Sequence, residues 1–187
     1  GVVFEVCSSL TDNPGTIVTE EHPAMEAVVI RGVSIERSQA RVTITDIPDS
    51  PGHSGKILGC LADAEINVDM IVSNIASDGM ARHSFTMHTN DLGRAQAALK
   101  PVLGELSDNA KIETEAALAK LSTVGIGMRS HSGVAAKMFK ALGDAGINIG
   151  MISTSEIKIS VTVSESQIED AARVVHEAFD LDKKPSA

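Results

Sequence analysis

The chain has no tryptophan and no tyrosine, and its only aromatic side chains are Phe4, Phe85, Phe139 and Phe179. Binding of single-stranded nucleic acid by base stacking needs a row of exposed aromatic platforms, so that class of function is excluded. Positive charge is scarce as well: 16 Lys and Arg stand against 25 Asp and Glu, a formal net charge of −9. A phosphate-contacting surface needs the opposite balance, and no nucleic-acid partner is expected. No apolar run approaches the roughly 18–20 residues that cross a bilayer, and no basic-then-apolar leader opens the sequence, so no membrane partner is expected. Two cysteines, Cys7 and Cys60, are too few for a disulfide framework and fit a reducing cytoplasm. Cys60 falls inside an expected helix, where it reads as a small buried hydrophobe. What is present is an ordinary globular balance over 187 residues, 43% apolar and 22% charged, enough for one domain or two small ones.

The chain repeats itself. Residues 52–71 (GHSGKILGCLADAEINVDMI) and 133–152 (GVAAKMFKALGDAGINIGMI) align without a gap at an offset of 81, with nine identities in twenty columns. HSFTMHT (83–89) corresponds in the same way to ISVTVSE (159–165). Each copy has the same succession of periods. Alternation over 41–45 predicts a strand, and Pro48 to Gly52 breaks it. Ile57, Leu58, Leu61 and Ala64 then recur at helical spacing from His53 onward. Strands are expected over 67–74 and 81–89, then a helix over 91–104 with Asp91 as N-cap and Pro101 marking its last turn or a break, then a strand over 111–115. That is a β-α-β-β-α-β unit. The second copy predicts a strand (120–127), a helix (133–145), strands over 148–155 and 157–164, and a helix (167–179), with no fourth strand of its own. An upstream strand over 27–32 (AVVIRG) is expected to complete it. The fold class is therefore α+β, two ferredoxin-like βαββαβ units, the second completed by an N-terminal strand.

These residues resemble the ACT domain, a small regulatory module that binds amino acids. GIGMRSHSGV (125–134), INI (147–149) and MISTSEIKIS (151–160) resemble the second ACT domain of aspartokinases; ERSQARVT (36–43) and AEINVDM (64–70) resemble parts of their first. CSSL (7–10) and PGT (14–16) are similar to the end of the aspartokinase catalytic domain. The resemblance implies a division into a catalytic tail end or linker (1–21), a first ACT domain (36–117), a discontinuous second ACT domain (22–35 with 118–180) and a disordered tail (181–187). It implies the regulatory region of aspartate kinase, feedback-controlled by threonine or lysine, dimeric through its ACT domains and cytoplasmic. Its partner is a kinase catalytic domain or subunit, which is expected upstream and which holds ATP and Mg. This chain is then expected to carry no cofactor, metal or catalytic residue and to be inactive alone. A stand-alone ACT amino-acid-binding dimerisation module is the alternative.

A free amino acid presents a carboxylate, an ammonium and one side chain. Glycine-containing turns that open helices, at 49–54 and 130–135, offer unpaired backbone N–H groups that suit the carboxylate. The resemblance implies one effector site made of Asp49, Gly52, Ser54, Ser73 and Asn74, with Asn148 and Ile149 from a partner chain. A second site, for lysine, draws on Asp69, Ala135, Ser155 and Glu156. The plain alternatives remain open: Asp49 as an Asx turn before Pro51, Asn148 as a cap repeated at Asn67, Glu156 as a solvated turn residue. The aspartokinases' usual Gln-Asn at the first strand end reads Ser73-Asn74, and Ala135 stands where lysine-sensitive members often have Thr. Two other constellations are set aside. His83 and His88, five apart on a strand, face opposite sides and cannot chelate one metal. Gly125-Ile126-Gly127 lacks the third glycine of a dinucleotide fingerprint.

Overall fold

The structure, a computed structural model, describes residues 2–7, 9, 15–18, 29–76, 79–129 and 131–182. A short hairpin of β1 (Phe4–Val6) and β2 (Thr16–Val18) precedes the main body. There, β3 (Gly32–Pro48), α1 (His53–Asp63), β4 (Asp69–Ile75), β5 (Met80–His88), α2 (Leu92–Leu106), β6 (Lys111–Val124), α3 (Val134–Asp144), β7 (Ile152–Thr154), β8 (Lys158–Ser164) and α4 (Ile168–Ala178) follow in order. Six strands form one antiparallel sheet in the order β4-β5-β3-β6-β8-β7.

The segments expected as four separate strands merge pairwise into β3 and β6, each of which serves both units. Residues 39–48 of β3 pair with β5, while residues 32–36 pair only with the far end of β6. Those same residues 32–36 are the fourth strand of the second unit, so the completing strand begins at Gly32 rather than at 27. Residues 27 and 28 lie outside the described residues, as does the tail from 183. Where the units meet, the β3–β6 register shifts beside Ser38 (φ 56°) and Ala117 (φ 57°), a bulge on each long strand. The bulges change the phase of alternation. Val33 and Ile35 face the helices in the second unit, Val42 and Ile44 in the first, an odd-to-even switch that keeps both apolar stripes on the helix side.

The repeat is visible in the packing. α1 and α3 begin and end at the same alignment columns. Gly52 and Gly133 precede them with φ of 92° and 89°, a left-handed conformation that a side chain would strain. Identical columns are core: Leu61 and Leu142 are fully buried, Ile66 and Ile147 nearly so. Val42, Ile44, Ile57, Leu61, Phe85 and Leu99 centre one core, and Leu121, Met138, Leu142, Val161, Ile168 and Val175 the other. Met70, Met87, Met138 and Met151 are all buried filling.

Two helix expectations need correction. Asp91 stands at the N-cap of α2 but makes no capping bond; its carboxylate takes Arg94 at 3.1 Å instead. Pro101 lies inside α2, which runs on to Leu106. Its exposed position leaves the ring in solvent, and the turns on either side bury Ala95, Leu99 and Leu103, so packing outweighs the one missing N–H bond.

The edge strands β4 and β7 approach each other, so the sheet is rolled with its helix-free face inward. That face is polar: Thr43 and Ser84 bond at 3.1 Å in one half, Ser122 and Ser160 at 2.8 Å in the other. Lys120, almost wholly buried, bonds Glu36 on β3 at 2.8 Å and also Asp69 at the start of β4.

Candidate functional site

Helix α1 opens without a side-chain cap. His53 N–H donates to Ser50 O and Lys56 N–H to Gly52 O, while the amides of Ser54 and Gly55 have no acceptor among the described residues. Free amides at the positive end of an 11-residue helix form an anion cradle. Directly below lies an enclosed pocket of about 60 Å³ lined by Ser54, Ile57 and Leu58 of α1, Ile71 and Ser73 of β4, and His83 and Phe85 of β5. Ser54 and Ser73, placed together by the sequence argument, do meet there. Gly52 is the left-handed residue that aims the helix, with no atom within 4 Å of where a Cβ would stand. Asp49 sits at the turn, its N–H bonded to Gly79 O at 3.0 Å, and its charge reaches His83. Asn74, next to Ser73 on an extended strand, takes the opposite face and does not line the pocket.

The sequence offered His83 as half of a metal pair, which was set aside. It is in fact buried on the helix side, opposite Ser73 across the β4–β5 ladder, whereas His88 is exposed and accepts from Asn90 N–H. No described group hydrogen-bonds its ring. Burial holds the imidazole below the ordinary histidine range, against the pull of Asp49 and with a further push from His53. The signal that could have found it was its phase: His83 and Phe85 share one face of β5.

Asn148 lines a different pocket of about 260 Å³, with Glu115, Ala117, Gly150, Thr162 and Gln167, and Ile149 packs against the second core. Within one chain they are not brought to the α1 pocket. Asp69 and Ser155 do meet, in a cleft of about 140 Å³ between β4 and β7 that Met70, Ser153, Thr154, Lys158 and Ser160 also line. Glu156 and Ala135 are not among its lining residues; Ala135 packs on the second core from α3. The Asp69 carboxylate is already engaged: the Lys120 hydrogen bond holds it below the usual carboxylate range, and Lys158 adds to that. Burial opposes the Lys120 ammonium, but Asp69 and Glu36 together outweigh it and hold the group above the ordinary lysine range. His53 and His131 are tied to backbone, His53 Nδ1 at 2.9 Å from Pro48 O and His131 Nδ1 at 2.8 Å from Gly127 O.

Two βαββαβ units on shared strands, each opened by an uncapped glycine-led helix, define a regulatory module of the ACT type, and residues 121–179 match the family described as the ACT domain. The aspartate kinase of Stutzerimonas stutzeri is 44% identical over 182 residues, 97% of this chain and 44% of that protein. The aspartate kinase of Pseudomonas putida is 45% identical over the same length. Among solved structures, the regulatory subunit of aspartate kinase from Thermus thermophilus is 37% identical with a TM-score of 0.74, covering 80% of this chain and 98% of that one. A chain of the aspartokinase alpha and beta subunits is 44% identical with a TM-score of 0.74, covering 81% and 99%. The chain belongs to the aspartokinase family, as its regulatory region with two ACT domains. It spans 44% of the length of the curated relatives it matches.

Proposed function

We propose that this chain is the amino-acid-sensing region of a cytoplasmic aspartate kinase, binding threonine, lysine or both as end products and controlling aspartate phosphorylation by a kinase domain or subunit that holds the ATP and Mg. The carrying observation is the α1 pocket, a small space lined by Ser54, Ser73 and His83, with two free amides at the helix end beside it and the Asp49 charge acting on His83. The amides suit a carboxylate and Asp49 an ammonium. The cleft holding Asp69 and Ser155 is the second candidate site.

The division into ACT domains over 36–117 and over 22–35 with 118–180 belongs to the same reading, as does homodimerisation. Asn148 and Ile149 complete the first site only from a second copy, because within one chain they lie elsewhere. Ile71 and Ile75 on edge strand β4 and Ile152 on edge strand β7 are 50%, 62% and 45% exposed, apolar edges that a second copy would cover. Occupancy at such an interface favours one dimer packing over another, which is how binding reaches the kinase.

Thermal unfolding of the chain with threonine, lysine, methionine or isoleucine tests this. A ligand bound only by the folded form adds RT ln(1 + [L]/Kd), about 2.7 kcal/mol at a hundredfold excess over Kd. A selective rise with threonine or lysine, lost in Asp49→Ala or Asp69→Ala, is expected. A Tm unmoved by all four ligands rejects the sensor.

A further inference from the structure

We infer that His83 is a specificity-determining residue of the α1 pocket, whose ring bonds the side-chain hydroxyl of a small bound amino acid and so selects it over an apolar isostere. The inference rests on the sensor reading above and deepens it.

The argument is one of assignment by elimination among the pocket's polar groups. A bound amino acid brings two charges and a side chain. Its carboxylate belongs at the Ser54 and Gly55 amides, first-turn donors of α1 without an acceptor among the described residues. Its ammonium belongs toward Asp49, the carboxylate nearest in effect to this pocket. The side chain is left facing the floor, which Ile57, Leu58, Ile71 and Phe85 make apolar and which His83 and Ser73 make polar on one side. About 60 Å³ accommodates two or three heavy atoms and not the four-carbon stem of lysine.

His83 is 7% exposed, and its ring has no hydrogen-bond partner among the described residues. Its ring nitrogens are not among the buried polar atoms left unsatisfied, so they stay open to the pocket, where a ligand or water can serve them. Its neighbours are fixed: Asp49 and His53 are the charged or titratable groups that act on it, and its ladder partners Ile44 and Ser73 lie on either side. A hydroxyl serves the ring nitrogens in either tautomer, donating to the bare nitrogen or accepting from the protonated one. A methyl of the same size answers neither, and sites built to bond a hydroxyl reject the analogue that lacks it strongly. Threonine and valine differ in just this way.

The test is calorimetric titration of the full chain with threonine and with valine, for the native protein, His83→Leu and His83→Gln. The native protein is expected to bind threonine at least tenfold more tightly than valine. His83→Leu is expected to bring the two within about threefold, and His83→Gln, which keeps a donor and an acceptor, to restore most of the preference. A threonine-to-valine ratio unchanged in His83→Leu overturns the role of His83 while leaving the sensor intact. Binding of neither ligand by the folded native chain overturns the role of His83, and the lysine arm of the thermal test then decides the sensor. Should the leucine variant fail to fold, the ring resonances of His83 in the native protein, assigned by their loss in His83→Gln, decide the matter. They must shift with saturating threonine and not with valine; no shift with bound threonine rejects the assignment.

Discussion

The buried ammonium of Lys120 on β6 donates to the carboxylate of Asp69 at the start of β4, joining the second unit to the first across the rolled sheet. Glu36 on β3 is the second acceptor, at 2.8 Å, and both carboxylates are about half exposed while Lys120 is 4% exposed. The asymmetry of burial predicts an asymmetry of loss. Removing Asp69 leaves a buried cation with one partner; removing Lys120 leaves two carboxylates that water can serve. Asp69→Asn is therefore expected to destabilise the chain by about 1–2 kcal/mol, and Lys120→Met, which fills the same space, by less than about 1 kcal/mol. Urea unfolding of the two variants measures the order, and the reverse order would refute the latch.

The same pair makes stability depend on pH, with a sign that follows from the shifts. The Asp69 carboxyl titrates lower in the folded chain than its unfolded value near 3.9, chiefly through the Lys120 hydrogen bond. Its contribution is complete above that unfolded value and is lost as pH falls through the folded one. Lys120 titrates higher when folded, so its contribution is complete below about 10.4 and is lost as pH rises through its folded value. Asp69→Asn is accordingly expected to flatten the fall in stability below about pH 4 relative to the native chain. Denaturant midpoints between pH 3 and 7 check this, and an acid limb as steep as that of the native chain contradicts it.

Much of this architecture was legible in the sequence because the repeat is a repeat of core positions. Leu61 and Leu142, or Ile66 and Ile147, are identical in the alignment and buried in the fold for one reason. The continuity of β3 and β6 was not legible. Along β3 the apolar phase passes from Val33 and Ile35 to Val42 and Ile44, and a phase change reads as the end of a strand unless the bulge that absorbs it is known. The α1 pocket was half legible: Ser54 and Ser73 came from the resemblance, while the phase of β5 puts His83 on the face of Phe85 but its place opposite Ser73 needs the register against β4. Asn148 and Ile149 stay apart from them, one lining a different pocket and the other packed on the second core.

Gly125 carries a prediction that its motif alone does not. A Cβ there would stand 2.0 Å from Val29 O and 2.7 Å from Ile30 Cα. Both are backbone atoms of the segment that leads into β3, which is held by the 2.7 Å bond from Arg31 N–H to Val124 O and by the buried side chain of Ile30. No rotamer change relieves such a clash, so the segment must move. Gly125→Ala is expected to cost about 1–3 kcal/mol. A loss below about 0.5 kcal/mol in chemical denaturation would show that the segment yields freely.

The bulge on β6 supplies a sharper contrast, because two alanines two residues apart answer oppositely to one substitution. Ala117 holds φ of 57°, a left-handed conformation that costs a side chain roughly 1–2 kcal/mol, and it is exposed at the junction of the units. Glycine there removes the strain and adds back about 0.5–1 kcal/mol of chain entropy in the unfolded state. The net for Ala117→Gly is neutral to about 1 kcal/mol stabilising. Ala119 is fully buried in the second core, on ordinary extended backbone that pairs with Val163. Glycine at 119 relieves nothing, raises the same unfolded-state entropy and empties a methyl from a packed site, so Ala119→Gly is expected to cost about 1–2 kcal/mol. Thermal unfolding of the pair reads the difference directly. Equal losses at both positions would mean that the register shift beside Ala117 is not a fixed bulge, and the shared-strand account of how two units form one sheet would fall with it.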